Sequence, residues 1–152
     1  MNKTLLRKSL IAVFFIVAGV AAFACEMNFT LEGQSSSIKA LEGQSLNVLP
    51  GSKVNLVEGQ SYKLMVEFNE DHRNCKIPAS DTLFLLNGEK WRVNKETQPL
   101  ILKNALQWKE VSKTKNVLII EFTASVIGEQ KLQIIRECSK GGYDETITFV
   151  VS

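Results

Sequence analysis

The 152-residue sequence predicts an all-β fold, an antiparallel β-sandwich of about seven short strands. Three observations carry that reading. Apolar residues recur at every second position in several segments, the period of a half-buried strand. Glycine, proline and asparagine punctuate those segments at short intervals, as hairpin turns require. No stretch with a helical period follows the first 24 residues. A β-barrel is the alternative architecture that the same pattern would satisfy.

The N-terminal segment is of another kind. Lys3, Arg7 and Lys8 precede an apolar run from Leu10 to Phe23, which closes on Ala22-Phe23-Ala24-Cys25. A basic start, a short apolar run and a small-x-small close are the parts of a secretory signal peptide. Residues 1–24 are therefore expected to be removed on export to a periplasm or cell envelope. The run is shorter than the ~20 residues that span a bilayer. Two cleavages fit the bond before Cys25: an ordinary signal-peptidase cut, or lipoprotein processing that leaves Cys25 lipidated. The small Ala24 favours the second, whereas Ala22 and Phe23 depart from the usual lipoprotein pattern. Residues 1–24 hold three bases and no acid, so residues 25–152 carry 15 bases against 16 acids. That balance offers no basic field for nucleic acid or for an anionic membrane surface. A lipid anchor at Cys25 would be the only membrane contact.

Residues 25–50 read as an extra N-terminal strand and a linker, and residues 51–152 as the domain. Leu31-Glu32-Gly33-Gln34-Ser35 recurs at 41–45, and again with Val57 in place of Leu at 57–61. The unequal spacing is wrong for a stacked repeat array. Similar turns between short strands account for it.

Within the domain, Tyr62, Leu64, Val66 and Phe68 alternate with Lys63, Met65 and Glu67, the pattern of a strand buried on one face. From Val117 to Phe122 both faces are mostly apolar, which predicts a central strand. Leu132 and Ile134 oppose Lys131 and Gln133. Ile147, Phe149 and Val151 form a β-branched and aromatic C-terminal strand. Asn87-Gly88 sits between strand-like Thr82–Leu86 and Glu89–Val93, the strongest short-range hairpin signal. Pro50-Gly51 and Lys140-Gly141-Gly142 mark further turns. Trp91 and Trp108 lie among alternating apolar residues and are expected in the core. Carbohydrate stacking is the other use of such side chains.

The stretch Val54-Asn55-Leu56-Val57-Glu58-Gly59-Gln60-Ser61-Tyr62-Lys63-Leu64-Met65-Val66 resembles the opening of immunoglobulin-like domains of bacterial envelope proteins. Gly128-Glu129-Gln130-Lys131-Leu132-Gln133-Ile134 resembles their penultimate strand. The resemblance implies an immunoglobulin-like antiparallel sandwich. A narrower likeness joins His72-Arg73-Asn74-Cys75 with Arg136-Glu137-Cys138-Ser139-Lys140-Gly141-Gly142. It is similar to small exported domains found near bacterial electron-transfer proteins, and it implies no defined activity.

In that topology strands 62–69 and 128–138 run the same way and end at one pole. Cys75 and Cys138 would meet there, and a disulfide in an oxidising compartment is the expected outcome. A bond closing such a loop contributes ~2–4 kcal/mol. The chain has three cysteines, and lipidation of Cys25 would leave no thiol over. Two other uses of the pair stay open: a redox-active dithiol beside basic residues, and a metal site with His72. As the sole histidine, His72 leaves a tetrahedral site one ligand short. The same pole gathers His72, Arg73, Lys76, Arg136, Lys140 and Tyr143, a candidate binding pole.

No catalytic constellation emerges. His72 lacks a third group to hold it, and Asp71 is its immediate neighbour, whose side chain points away in an extended chain. No glycine-rich phosphate loop precedes a helix. The sequence thus predicts a module without enzymatic activity and without cofactor or resident metal, exported to the envelope. It would bind an envelope protein or serve a structural role. An accessory part in periplasmic redox, electron-transfer or metal chemistry through Cys75 and Cys138 is the alternative.

Overall fold

A computed structural model describes residues 25–33, 45–70, 77–138 and 142–152. The expected signal peptide at 1–24 lies outside them. Among the described residues eleven strands form two packed sheets, more than the about seven expected, because short accessory strands extend both sheets. The first sheet holds β2 (Ser45–Val48), β1 (Cys25–Gly33), β4 (Ser61–Glu70), β9 (Lys115–Ala124) and β7 (Leu100–Leu102) in that order, with β8 (Trp108–Ser112) also on β9. The second runs β3 (Lys53–Leu56), β11 (Tyr143–Val151), β10 (Gly128–Arg136), β5 (Leu83–Leu86) and β6 (Glu89–Lys90). The one parallel pairing among these strands is β3 on β11. Two facing sheets with this strand order, in which the N-terminal segment serves first one sheet and then the other, make an immunoglobulin-like β-sandwich.

The alternation in β4 is realised: Tyr62, Leu64, Val66 and Phe68 are buried, while Lys63, Met65 and Glu67 face outward. They meet Leu118, Ile120 and Phe122 of β9, Leu132 and Ile134 of β10, and Ile147, Phe149 and Val151 of β11 in one core. β9 is interior to its sheet, as expected of an apolar strand. Its second apolar face is not covered, and Ile119 stays 47% exposed. Among the described residues no third layer packs on that side.

Residues 25–33 are an integral strand of the sandwich: β1 pairs with β4 over nine residues, from Cys25 opposite Glu70 to Gly33 opposite Tyr62. Met27, Phe29 and Leu31 enter the core. β2 adds to β1 and buries Val48. Any spacer role of residues 34–44 lies outside the described residues. The third Glu-Gly-Gln copy is the turn into β4, where the Glu58 amide donates to Ser152 O and the Gly59 amide to Ala124 O.

One strand expectation changes, after the Asn87-Gly88 hairpin. Both turn residues take positive φ, 52° and 85°, as the sequence requires. The strand after it stops at Lys90 instead of reaching Val93. Trp91 turns inward, 2% exposed, and its indole Nε1 donates to Leu100 O at 2.7 Å. The buried Gln98 side chain takes over the missing strand partners: its Oε1 accepts from the Arg92 amide and its Nε2 donates to Lys90 O. Trp91 meets Phe122 edge-on, with ring centroids 5.4 Å apart, as expected of a core tryptophan. Trp108 is half-buried and packs edge-on against Phe68 and tilted against Phe84.

Candidate functional site

β4 and β10 end at the same pole, and β11 begins there. The register of β10 on β11 sets Arg136 opposite Tyr143. The register of β1 on β4 sets Cys25 beside the end of β4, so the backbone of the third cysteine also starts at this pole. His72, Arg73, Cys75, Lys76 and Lys140 lie outside the described residues, and the expected Cys75–Cys138 pairing lies outside them with Cys75. Cys138 is half-buried against the core.

Arg136 does not present its charge to a ligand. It is 1% exposed. Strand parity places it on the inner face with Gln130, Leu132 and Ile134. One guanidinium nitrogen donates to Pro78 O at 2.7 Å, and the other donates to Ile77 O. The guanidinium carbon lies 4.3 Å from the centroid of the Phe68 ring. A buried cation is tolerated where its donors are met; here backbone carbonyls meet both terminal nitrogens, and a π-face lies against the guanidinium. The residue expected to bind a partner instead ties the segment around the 3-10 turn Ala79–Asp81 to the ends of β4 and β10.

Tyr143 is half-buried, and its hydroxyl has no hydrogen-bond partner among the described residues. Burial, helped by the nearby Glu145 charge, pushes its phenol well above the ordinary value. It stays neutral and apolar in character. Its ring lies 6.4 Å from that of Phe29, linking the start of β11 to β1. Gly142 precedes it under constraint, because a Cβ there would sit 3.0 Å from Arg136 O. This position needs glycine for close backbone approach.

What the pole does present is a groove. A cleft of about 680 Å³ is bounded by Ile77, Ile135, Glu137, Tyr143 and Asp144 among others. A second, of about 340 Å³, continues past Asp81 and Leu83. Sequence reading missed Ile77, Leu83 and Ile135. Parity could have found the last two, since both alternate outward from buried neighbours on β5 and β10. Among the described residues no group of three or more His, Cys, Asp or Glu side chains is placed to hold a metal ion.

The family model of the WKF domain matches residues 65–141. No curated protein matches the chain. Among solved structures, the solution structure of amebosin aligns at 10% identity and a TM-score of 0.38, covering 68% of this chain and 90% of that one. The immunoglobulin-like domain of human obscurin-like protein 1 aligns at 16% identity and a TM-score of 0.35, covering 69% and 84%. Neither superposes closely, and the fold rests on the strand order.

Proposed function

The chain belongs to the WKF domain family, and we propose that it is a non-enzymatic, exported envelope module that binds a protein partner through the pole where β4 and β10 end. The observation that carries the proposal is the cleft of about 680 Å³ at that pole, open between strand ends that Arg136 and its carbonyl partners hold in place. Loops and strand ends on a rigid sandwich are where such scaffolds carry recognition. The basic start and apolar run of residues 1–24 support export. The Ala24-Cys25 close supports an envelope location, with a lipid on Cys25 as one form of retention.

Two measurements test this. Mass spectrometry of protein isolated from its own cells, alkylated before and after reduction, reads the N-terminus, the state of Cys25 and the Cys75–Cys138 linkage. The expected result is a chain starting at Cys25 with those two cysteines joined. A thiol pair found reduced or metal-bound would favour redox or metal chemistry instead. Crosslinking in intact cells is expected to capture a partner through residues lining the cleft. Absence of any crosslinked partner would refute the binding role.

A further inference from the structure

Among the described residues, the groove at the pole combines an apolar floor with a rim of carboxylates. Its two clefts share Ile77, Ile135 and Glu137, so they run together along the outer face of the second sheet. Leu83 is 43% exposed and stands in register opposite Ile135. Asp81, Glu137 and Asp144 are exposed along the rim. Asp144 is steadied by Gln133, whose Nε2 donates to its Oδ1 at 2.8 Å. Among the described lining residues the one base is Arg136, whose guanidinium is turned inward onto the Pro78 and Ile77 carbonyls. The described residues of the groove therefore offer carboxylates beside apolar surface.

The exposed Ile119 has a different setting. On the outer face of the first sheet, Ile119 lies near charges already paired, Lys63 with Glu32 and Lys115 with Glu67. At the far pole, Val126 and Ile127 are exposed.

An occupant that covers Leu83 and Ile135 removes apolar area from water, but it also strips water from the three carboxylates unless cations meet them. We propose that the groove floored by Leu83 and Ile135 and rimmed by Asp81, Glu137 and Asp144 docks an extended protein segment carrying an aliphatic side chain flanked by lysine or arginine. This deepens the protein-binding reading and rests on it. The aliphatic side chain fills the wider cleft, and the flanking cations pair with the rim.

The test uses the purified protein and two labelled peptides, one with a central isoleucine between lysines and one with glutamates in their place. The lysine peptide is expected to bind, more weakly as salt rises, and the glutamate peptide not to bind. Asp81→Lys with Glu137→Lys, and separately Leu83→Asp, are expected to weaken binding by at least about tenfold. Both sites are exposed, and circular dichroism checks the fold of each variant. Ile127→Asp at the far pole is expected to bind as wild type. Equal binding of the two peptides, no binding of either, or variants that bind like wild type would overturn the assignment. Crosslinking in cells separates the two levels. A partner still captured by the Asp81→Lys/Glu137→Lys protein sinks the groove and leaves the binding module standing. A wild type that captures nothing sinks both.

Discussion

Replacing Arg136 by methionine separates a structural cation from a ligand-binding one. Methionine keeps most of the unbranched stem and removes the guanidinium. At 1% exposure, the side chain's loss removes the charged donors to Ile77 O and Pro78 O, the second of which keeps the Asp81 amide as a donor. The charge-assisted bond to Ile77 O contributes about 1.5–3 kcal/mol, and the lost contact over Phe68 adds about 1 kcal/mol. Release from the cost of desolvating a cation offsets part of that sum. A net destabilisation of about 2–3 kcal/mol results, a large share of the ~5–15 kcal/mol that holds a domain folded. Urea unfolding monitored by tryptophan emission reads it. With a slope of ~1–3 kcal/mol/M for a small protein, the midpoint should fall by roughly 1–2 M with the slope unchanged. An unmoved midpoint would mean that the guanidinium stands in water, and the account of the pole as a carbonyl-clamped structure would be wrong.

Three more outcomes are expected from the same contacts. Trp91→Phe loses the indole donor to Leu100 O and leaves a small void, and it should cost about 2–3 kcal/mol by thermal unfolding; no change would mean that the indole is not in the core. Deleting residues 25–48 strips the nine-residue pairing from β4 and four buried apolar side chains, and calorimetry should find no cooperative transition; a linker at 25–50 would predict an undisturbed one. Tyr143 has a folded pKa raised above its unfolded value of ~10. The native state therefore holds its proton when the unfolded chain has lost it. Its contribution is full below pH ~10 and is lost as pH climbs toward the folded value. Tyr143→Phe should flatten that alkaline decline in stability and leave neutral-pH stability nearly unchanged, since the hydroxyl has no partner among the described residues. A variant that still shows the full decline would place the cause elsewhere.

The parts of the fold legible in the sequence were those governed by local periodicity. β4, β10 and β11 alternate cleanly, and Asn87-Gly88 fixes its hairpin by backbone sterics alone. The end of β6 was not legible, because Gln98 supplies the replacement partners from eight residues beyond Lys90. Position 136 was legible and misread: parity with Leu132 and Ile134 points it inward, but a charge is ordinarily solvated. β1 carried the same open signal, Met27, Phe29 and Leu31 alternating with polar residues. Residues 25–50 read as an extra strand and a linker, but the partner of that strand, β4, is set by pairing across the sheet and not by local periodicity. The groove escaped notice because its floor comes from β5, β10 and the segment before the 3-10 turn, and only the register of β5 on β10 sets Leu83 beside Ile135.

The long pairing of β1 with β4 and the parallel pairing of β3 with β11 have a mechanical meaning. Cys25 lies at one pole and Val151, paired with Leu56, near the other. Tension applied between the ends of the described chain runs along the strands. It loads the nine β1–β4 pairs and the four β3–β11 pairs in shear, all rungs together. A hairpin pulled open from its tip parts one rung at a time. This sandwich, drawn along its length, should hold until many bonds fail at once, and the rate of that event would set how long it bears a load.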